Sequence, residues 1–210
     1  MEEEYVSDGR WMVTKVLILG AHGQIARVAT TLFLNQTDAE LTLYLRNANR
    51  LKALLNTDRV QVVEGDVLDL KGLVAAMTGQ DVVYANLDGE LEQQARCIVK
   101  AMKQTGLKRL IFISSMGIYD EILGERHGAV LEPYCQAARE IEASDLDFTI
   151  LRPAWLNNRD EVAYGTTQKG EPFQNASAIV SRKSVADLVV RLVMTPGLEV
   201  RRSLGVHKAQ

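Results

Sequence analysis

Short apolar runs alternate along this chain with longer amphipathic ones. "KVLILG" (15–20), "LTLYLR" (41–46) and "RVQVVEGD" (59–66) are rich in β-favouring residues, and each leads into a stretch with helical spacing. "DVVYAN" (81–86), "KRLIFISS" (108–115) and "DFTILRP" (147–153) continue the series. Short buried strands that alternate with helices imply crossover units and a parallel sheet covered on both faces. The expected class is α/β, a single doubly wound parallel sheet.

The helical stripes are equally plain. Leu91, Ala95, Ile98 and Met102 repeat at spacings of four, three and four, and Val185, Leu188, Val189, Leu192 and Val193 form a second stripe. Both read as core. Ser184 is the expected N-cap of the last helix, and Thr195, Pro196 and Gly197 its stop. The least patterned segments run over about 116–133 and 156–180. Both follow carboxyl ends of strands, where an open parallel sheet places ligands.

At the first strand-to-helix corner, "LGAHGQIA", the small residues Gly20, Gly23 and Ala26 recur at every third position. Gly20 suits the tight turn, and Gly23 leaves the backbone open to a phosphate. Ala26 lets the helix approach the sheet. The helix N-terminus, at Gln24 and Ile25, offers unpaired N–H groups and a partial positive charge to a pyrophosphate. His22 lies inside the corner as a further phosphate candidate. The strand-turn-helix context makes this a dinucleotide site and the fold Rossmann-type.

The second strand then bears on which dinucleotide. Asp or Glu at its end serves NAD, whereas Arg serves the 2′-phosphate of NADP. "LYLRNANR" has Arg46 at that end, Arg50 one helical turn later, and no carboxylate between them. A guanidinium grips a phosphate through two hydrogen bonds, so NADP(H) is expected over NAD(H).

Composition narrows the classes further. With 24 Lys+Arg against 27 Asp+Glu, the formal charge of −3 gives no broad footprint for nucleic acid or an anionic membrane. The apolar runs are too short to span a bilayer, and "MEEEYVSDGR" carries the wrong charge for a secretory signal, so a cytoplasmic protein is expected. The 210 residues fit one domain with a short N-terminal extension over about 1–13. Cys97 and Cys135 stand alone in helical stretches, and the three histidines have no partner at ligand spacing, so no metal is expected.

The spacing Gly20-x-x-Gly23-x-x-Ala26, with "GDVLD" (65–69), "LIFISSMGIYDE" (110–121) and "IEASDLDFTILRPAWL" (141–156), resembles the NmrA-like, NAD(P)H-binding branch of the atypical and extended short-chain dehydrogenase/reductases. The likeness covers residues 14 to 207. It implies that Asp66 accepts from the adenine amino group and that Val67 contacts the ring; an N-cap role for Asp66 is the competing reading. It also implies that Asn86 and Leu87 line the ribose and pyrophosphate. Ser114 and the segment Pro153, Ala154 and Trp155 would border the nicotinamide, although Trp155 also suits plain core packing.

The same resemblance implies a Ser-Tyr-Lys reductase, in which Ser orients a carbonyl, Tyr donates a proton and Lys tunes the Tyr. Ser115 matches the Ser. Tyr134 matches the Tyr, but Ala138 stands where the lysine of YxxxK belongs, and Arg139 follows one position later. Tyr119 is a second phenol in the motif. Asp120, Glu121, Glu125 and His127 are read as solvated loop charges rather than proton relays. Arg182 faces either an anionic ligand or the solvent.

Two functions follow from these features. One is an NADP(H)-dependent oxidoreductase acting on a small-molecule acceptor such as a quinone, flavin or carbonyl. The other, implied by the NmrA-like resemblance, is a redox sensor that binds the dinucleotide and regulates a protein partner, which the missing lysine favours. A sugar-nucleotide epimerase or dehydratase is disfavoured, because the C-terminal part is short for a substrate domain.

Overall fold

The computed structural model describes residues 13–54, 58–122 and 128–209. Six strands form where the apolar runs predict them: β1 (Lys15–Leu19), β2 (Glu40–Leu45), β3 (Val60–Glu64), β4 (Val82–Ala85), β5 (Arg109–Ile113) and β6 (Asp147–Pro153). Two short strands follow, β7 (Leu156–Asn157) and β8 (Tyr164–Gln168), and then β9 (Val180–Ser181) and β10 (Arg202–Lys208). The main sheet runs β3-β2-β1-β4-β5-β6-β10-β8. All its pairs are parallel except β10 with β8. The order reverses between β1 and β4, which opens a crevice at the carboxyl edge.

Among the described residues, five α-helices cover the sheet: α1 (Gln24–Gln36), α2 (Leu70–Met77), α3 (Leu91–Thr105), α4 (Glu132–Glu142) and α5 (Arg182–Met194). Strand alternation explains why the runs are apolar throughout. Val16 and Ile18 join the core under α1 and α5, while Leu17 and Leu19 join the core under α2, α3 and α4. The central strands β1, β4, β5 and β6 are thus buried on both faces, whereas the edge strands β3 and β8 are only partly covered. The two helical stripes are buried as their periodicity requires. No helix among the described residues is long and apolar enough to cross a membrane.

The structure departs from the sequence pattern in four places. Between β2 and β3 the crossover is a 3-10 segment, Ala48–Leu54, and not an α-helix. Helix α5 starts at Arg182, so its N-cap is Ser181, whose Oγ accepts from the Ser184 N–H at 2.9 Å. Ser184 sits one turn inside and is fully buried.

Segment 156–180 is not one loop over the crevice. Tyr164–Gln168 leaves it to form the antiparallel edge strand β8. Strand β10 escapes prediction because Gly205 interrupts it. A Cβ at Gly205 would lie 2.5 Å from the Phe173 ring, so the glycine makes room for that ring.

Candidate functional site

The first corner has the geometry that its glycines promise. Gly20 has φ +73°, and a Cβ there would come within 2.2 Å of the Asn86 carbonyl oxygen. Gly23 caps α1 and sits against the Asn86 side chain, where a Cβ would meet Oδ1 at 2.8 Å. Ala26 is fully buried, and its N–H donates to Asn86 Oδ1 at 3.0 Å. The helical ladder starts with Arg27 N–H to Gly23 O. The N–H groups of Gln24 and Ile25 precede both bonds and lie outside the helical ladder. Asn86 therefore locks β4 to the start of α1, a role the sequence does not disclose.

On one side of this corner lies a cavity of about 490 Å³. Arg46 and Arg50 enter it from the end of β2 and the 3-10 segment, both exposed, with His22 beside them. The His22 pKa is lowered, first by burial and then by Arg27 and Arg50, which favours the neutral ring. Asp66, Val67 and Asp88 reach the same cavity from the ends of β3 and β4.

Asp66 does not cap α2. That cap is Asp69, which accepts from the Lys71 N–H, while Asp66 Oδ1 accepts from the Leu68 N–H at 2.9 Å. Tyr44, unnoticed in the sequence, donates to the Asp66 carbonyl at 3.0 Å and holds this turn. Gly65 is obligatory beneath it, because a Cβ there would stand 2.2 Å from the Tyr44 hydroxyl.

On the other side lies a second cavity, of about 630 Å³, and Asn86 and Leu87 line both. The crevice therefore runs across the switch point with the glycine corner at its middle. Ser114, Ser115 and Tyr134 line this second cavity together with Pro153, Ala154 and Trp155. Trp155 is 67% exposed, which excludes core packing and makes it an open wall. The Ser114 hydroxyl is buried with no hydrogen-bond partner. Burial, and then the Asp88 carboxylate, raise the Tyr134 pKa. Ala138 is fully buried, and Arg139 is exposed on another face of α4. Among the described residues, no lysine takes that position.

Tyr119 does not line this cavity. Its hydroxyl donates to Glu142 Oε1 at 2.8 Å, with Ser203 Oγ at 3.2 Å, and burial is the first cause of its raised pKa. The Arg152 guanidinium carbon lies 5.1 Å from its ring centroid and the Lys169 ammonium 4.2 Å, within cation–π range. Glu121, expected as a solvated charge, is instead buried and paired with Arg152, a residue with no exposed surface. Its carboxylate also accepts the N–H groups of Gly117 and Tyr119, at 3.0 and 2.8 Å. This buried pair anchors the loop that follows Ser115 to β6. Glu125 and His127 lie outside the described residues.

Comparison with known proteins agrees with this geometry. The profile of the NAD(P)H-binding family matches residues 20–196. A Rossmann-fold NAD(P)-binding family protein from Shigella flexneri is 40% identical, with a TM-score of 0.82 over 93% of this chain and 94% of that one. A wide-type short-chain dehydrogenase/reductase from Veillonella parvula, solved in complex with NADP, is 30% identical, with a TM-score of 0.85 over 94% and 95%. An uncharacterized sugar epimerase of Bacillus subtilis is 28% identical over 84% of this chain and 86% of its own.

Proposed function

The chain belongs to the NAD(P)H-binding family, and on that premise we propose an oxidoreductase that takes NADP(H) in preference to NAD(H) and reduces a quinone, flavin or carbonyl acceptor. The observation that carries this reading is the placement of Ser115 and Tyr134 in a cavity that adjoins the glycine corner. When bound, a reduced nicotinamide supplies a hydride.

The chain's own residues divide the remaining work. The N–H groups of Gln24 and Ile25 would hold the pyrophosphate, with Gly20 and Gly23 giving it access. Asp66, Val67 and Leu87 would border the adenosine. Arg46 and Arg50 would take the 2′-phosphate, and the NADP held by the Veillonella relative supports that preference. Pro153, Ala154 and Trp155 would wall the nicotinamide end, with Ser114 beneath. Ser115 would donate a hydrogen bond to the acceptor oxygen, and Tyr134 would supply the proton.

Among the described residues no ammonium lowers the Tyr134 pKa, and burial raises it, so Tyr134 is a weak acid. Acceptors whose reduced forms need little acid are therefore favoured over simple ketones. The fully buried Ala138 supports a second reading, a dinucleotide-binding sensor that regulates a protein partner. The test is steady-state NADPH oxidation with quinones, flavins and ketones, in the parent and in Ser115→Ala, Tyr134→Phe and Tyr119→Phe. Quinone or flavin turnover that falls in Ser115→Ala and survives Tyr119→Phe supports the enzyme. Tight NADPH binding without turnover for any acceptor would overturn it in favour of the sensor.

A further inference from the structure

Beside the apolar cavity at the nicotinamide end lies another, of about 590 Å³, between the outer face of α1 and the segment around Asn158. Gln24 and Arg182 line both, so the two meet at the first turn of α5. They differ in character. The first is walled mainly by apolar side chains such as Met116, Ile122, Leu131 and Leu156, and Arg182 is its one charged lining residue among those described. The other is lined by Arg27, Arg182 and Lys183, with Asp160 as its one carboxylate among the described residues. Lys183 takes that carboxylate at 2.5 Å.

Arg182 is left short of acceptors at the junction. Its Nη1 donates to the neutral amide oxygen of Asn158 at 3.0 Å, and its Nε is buried with no hydrogen-bond partner. The side chain itself is half-buried, so its guanidinium can still be reached from the junction, and an acidic ligand there would supply the acceptor that it lacks. We propose that the substrate cavity recognises apolar molecules bearing a carboxylate, the apolar body lying in the first cavity and the carboxylate on Arg182. This rests on the reductase reading above and names the acceptor class for the same site. Arg27 adds positive potential behind the junction, so a carboxylate on a short tether fits as well as one on the ring.

The test is calorimetric titration of the NADP⁺-loaded protein with 2-naphthoate and with its neutral counterpart 2-naphthamide, followed by turnover with a carboxylated and an uncharged naphthoquinone. A charge-assisted hydrogen bond predicts that naphthoate binds at least about tenfold tighter. Arg182→Met should bring naphthoate down to the naphthamide value. Arg182→Lys, which retains the charge on the same helix, should keep an intermediate preference and guards against a folding defect. Equal affinities in the parent, or a preference that survives Arg182→Met, would overturn the proposal. A carboxylate preference without turnover would support this site and sink the reductase reading; turnover indifferent to the carboxylate would do the reverse.

Discussion

Arg152→Met tests whether the buried pair under the Ser115 loop holds the site in place. Arg152 and Glu121 have side chains only 1% and 5% exposed, so removing the guanidinium leaves a buried carboxylate with no cation and only the Gly117 and Tyr119 N–H groups to hold it. Breaking a buried pair from one side costs about 3–5 kcal/mol. Arg152 also donates to Ser203 Oγ at 3.1 Å and to the Ser203 carbonyl at 3.2 Å, so the loss falls at the upper end of that range. A domain of ordinary stability has roughly 5–15 kcal/mol in total. The melting temperature should therefore drop by on the order of 10 °C.

The double variant Arg152→Met/Glu121→Gln leaves no stranded charge, and an amide oxygen still accepts one of the Gly117 and Tyr119 N–H groups. It should return to within about 2 kcal/mol of the parent. Urea unfolding of all four proteins, with Glu121→Gln completing the cycle, measures the coupling. A single-variant loss below about 1 kcal/mol is the signature of a solvated surface pair. That result would refute the anchor.

The other predictions concern the crevice. Gly23→Val should abolish NADPH binding while the fold persists, since the new side chain displaces Asn86 from the Ala26 N–H, a capping loss of about 1 kcal/mol; unchanged affinity by fluorescence titration would remove the pyrophosphate assignment. Arg46→Ala should weaken NADPH more than NADH by on the order of 2 kcal/mol, and equal losses would show that Arg46 does not read the 2′-phosphate. With the Tyr134 pKa raised, the phenol stays protonated through neutral pH. Turnover should thus show no Tyr134-dependent fall between about pH 6 and 9; a limb in that window that disappears in Tyr134→Phe would contradict the assignment.

Local patterns in the chain determine much of this protein. Apolar runs such as Val16–Leu19 must be strands buried on both faces, because every position is apolar and a helix follows. The glycine corner is equally local, since the tight turn and the helix start need small residues at fixed spacing whatever lies around them. Tertiary structure decides what depends on distant partners. Glu121 reads as one more loop charge until β6 brings Arg152 against it, 31 residues later.

Tyr119 and Tyr134 are indistinguishable as phenols, and only the packing of Glu142 and Ser203 turns Tyr119 away from the cavity. Gly205 looks like a strand breaker, and only the Phe173 ring gives it a reason. Arg182 sits at a helix start in the sequence, and the meeting of two cavities at that point is a property of the folded chain. Periodicity records whether a residue faces a core. It carries no record of which charge or ring, many residues away, will occupy the space in front of it.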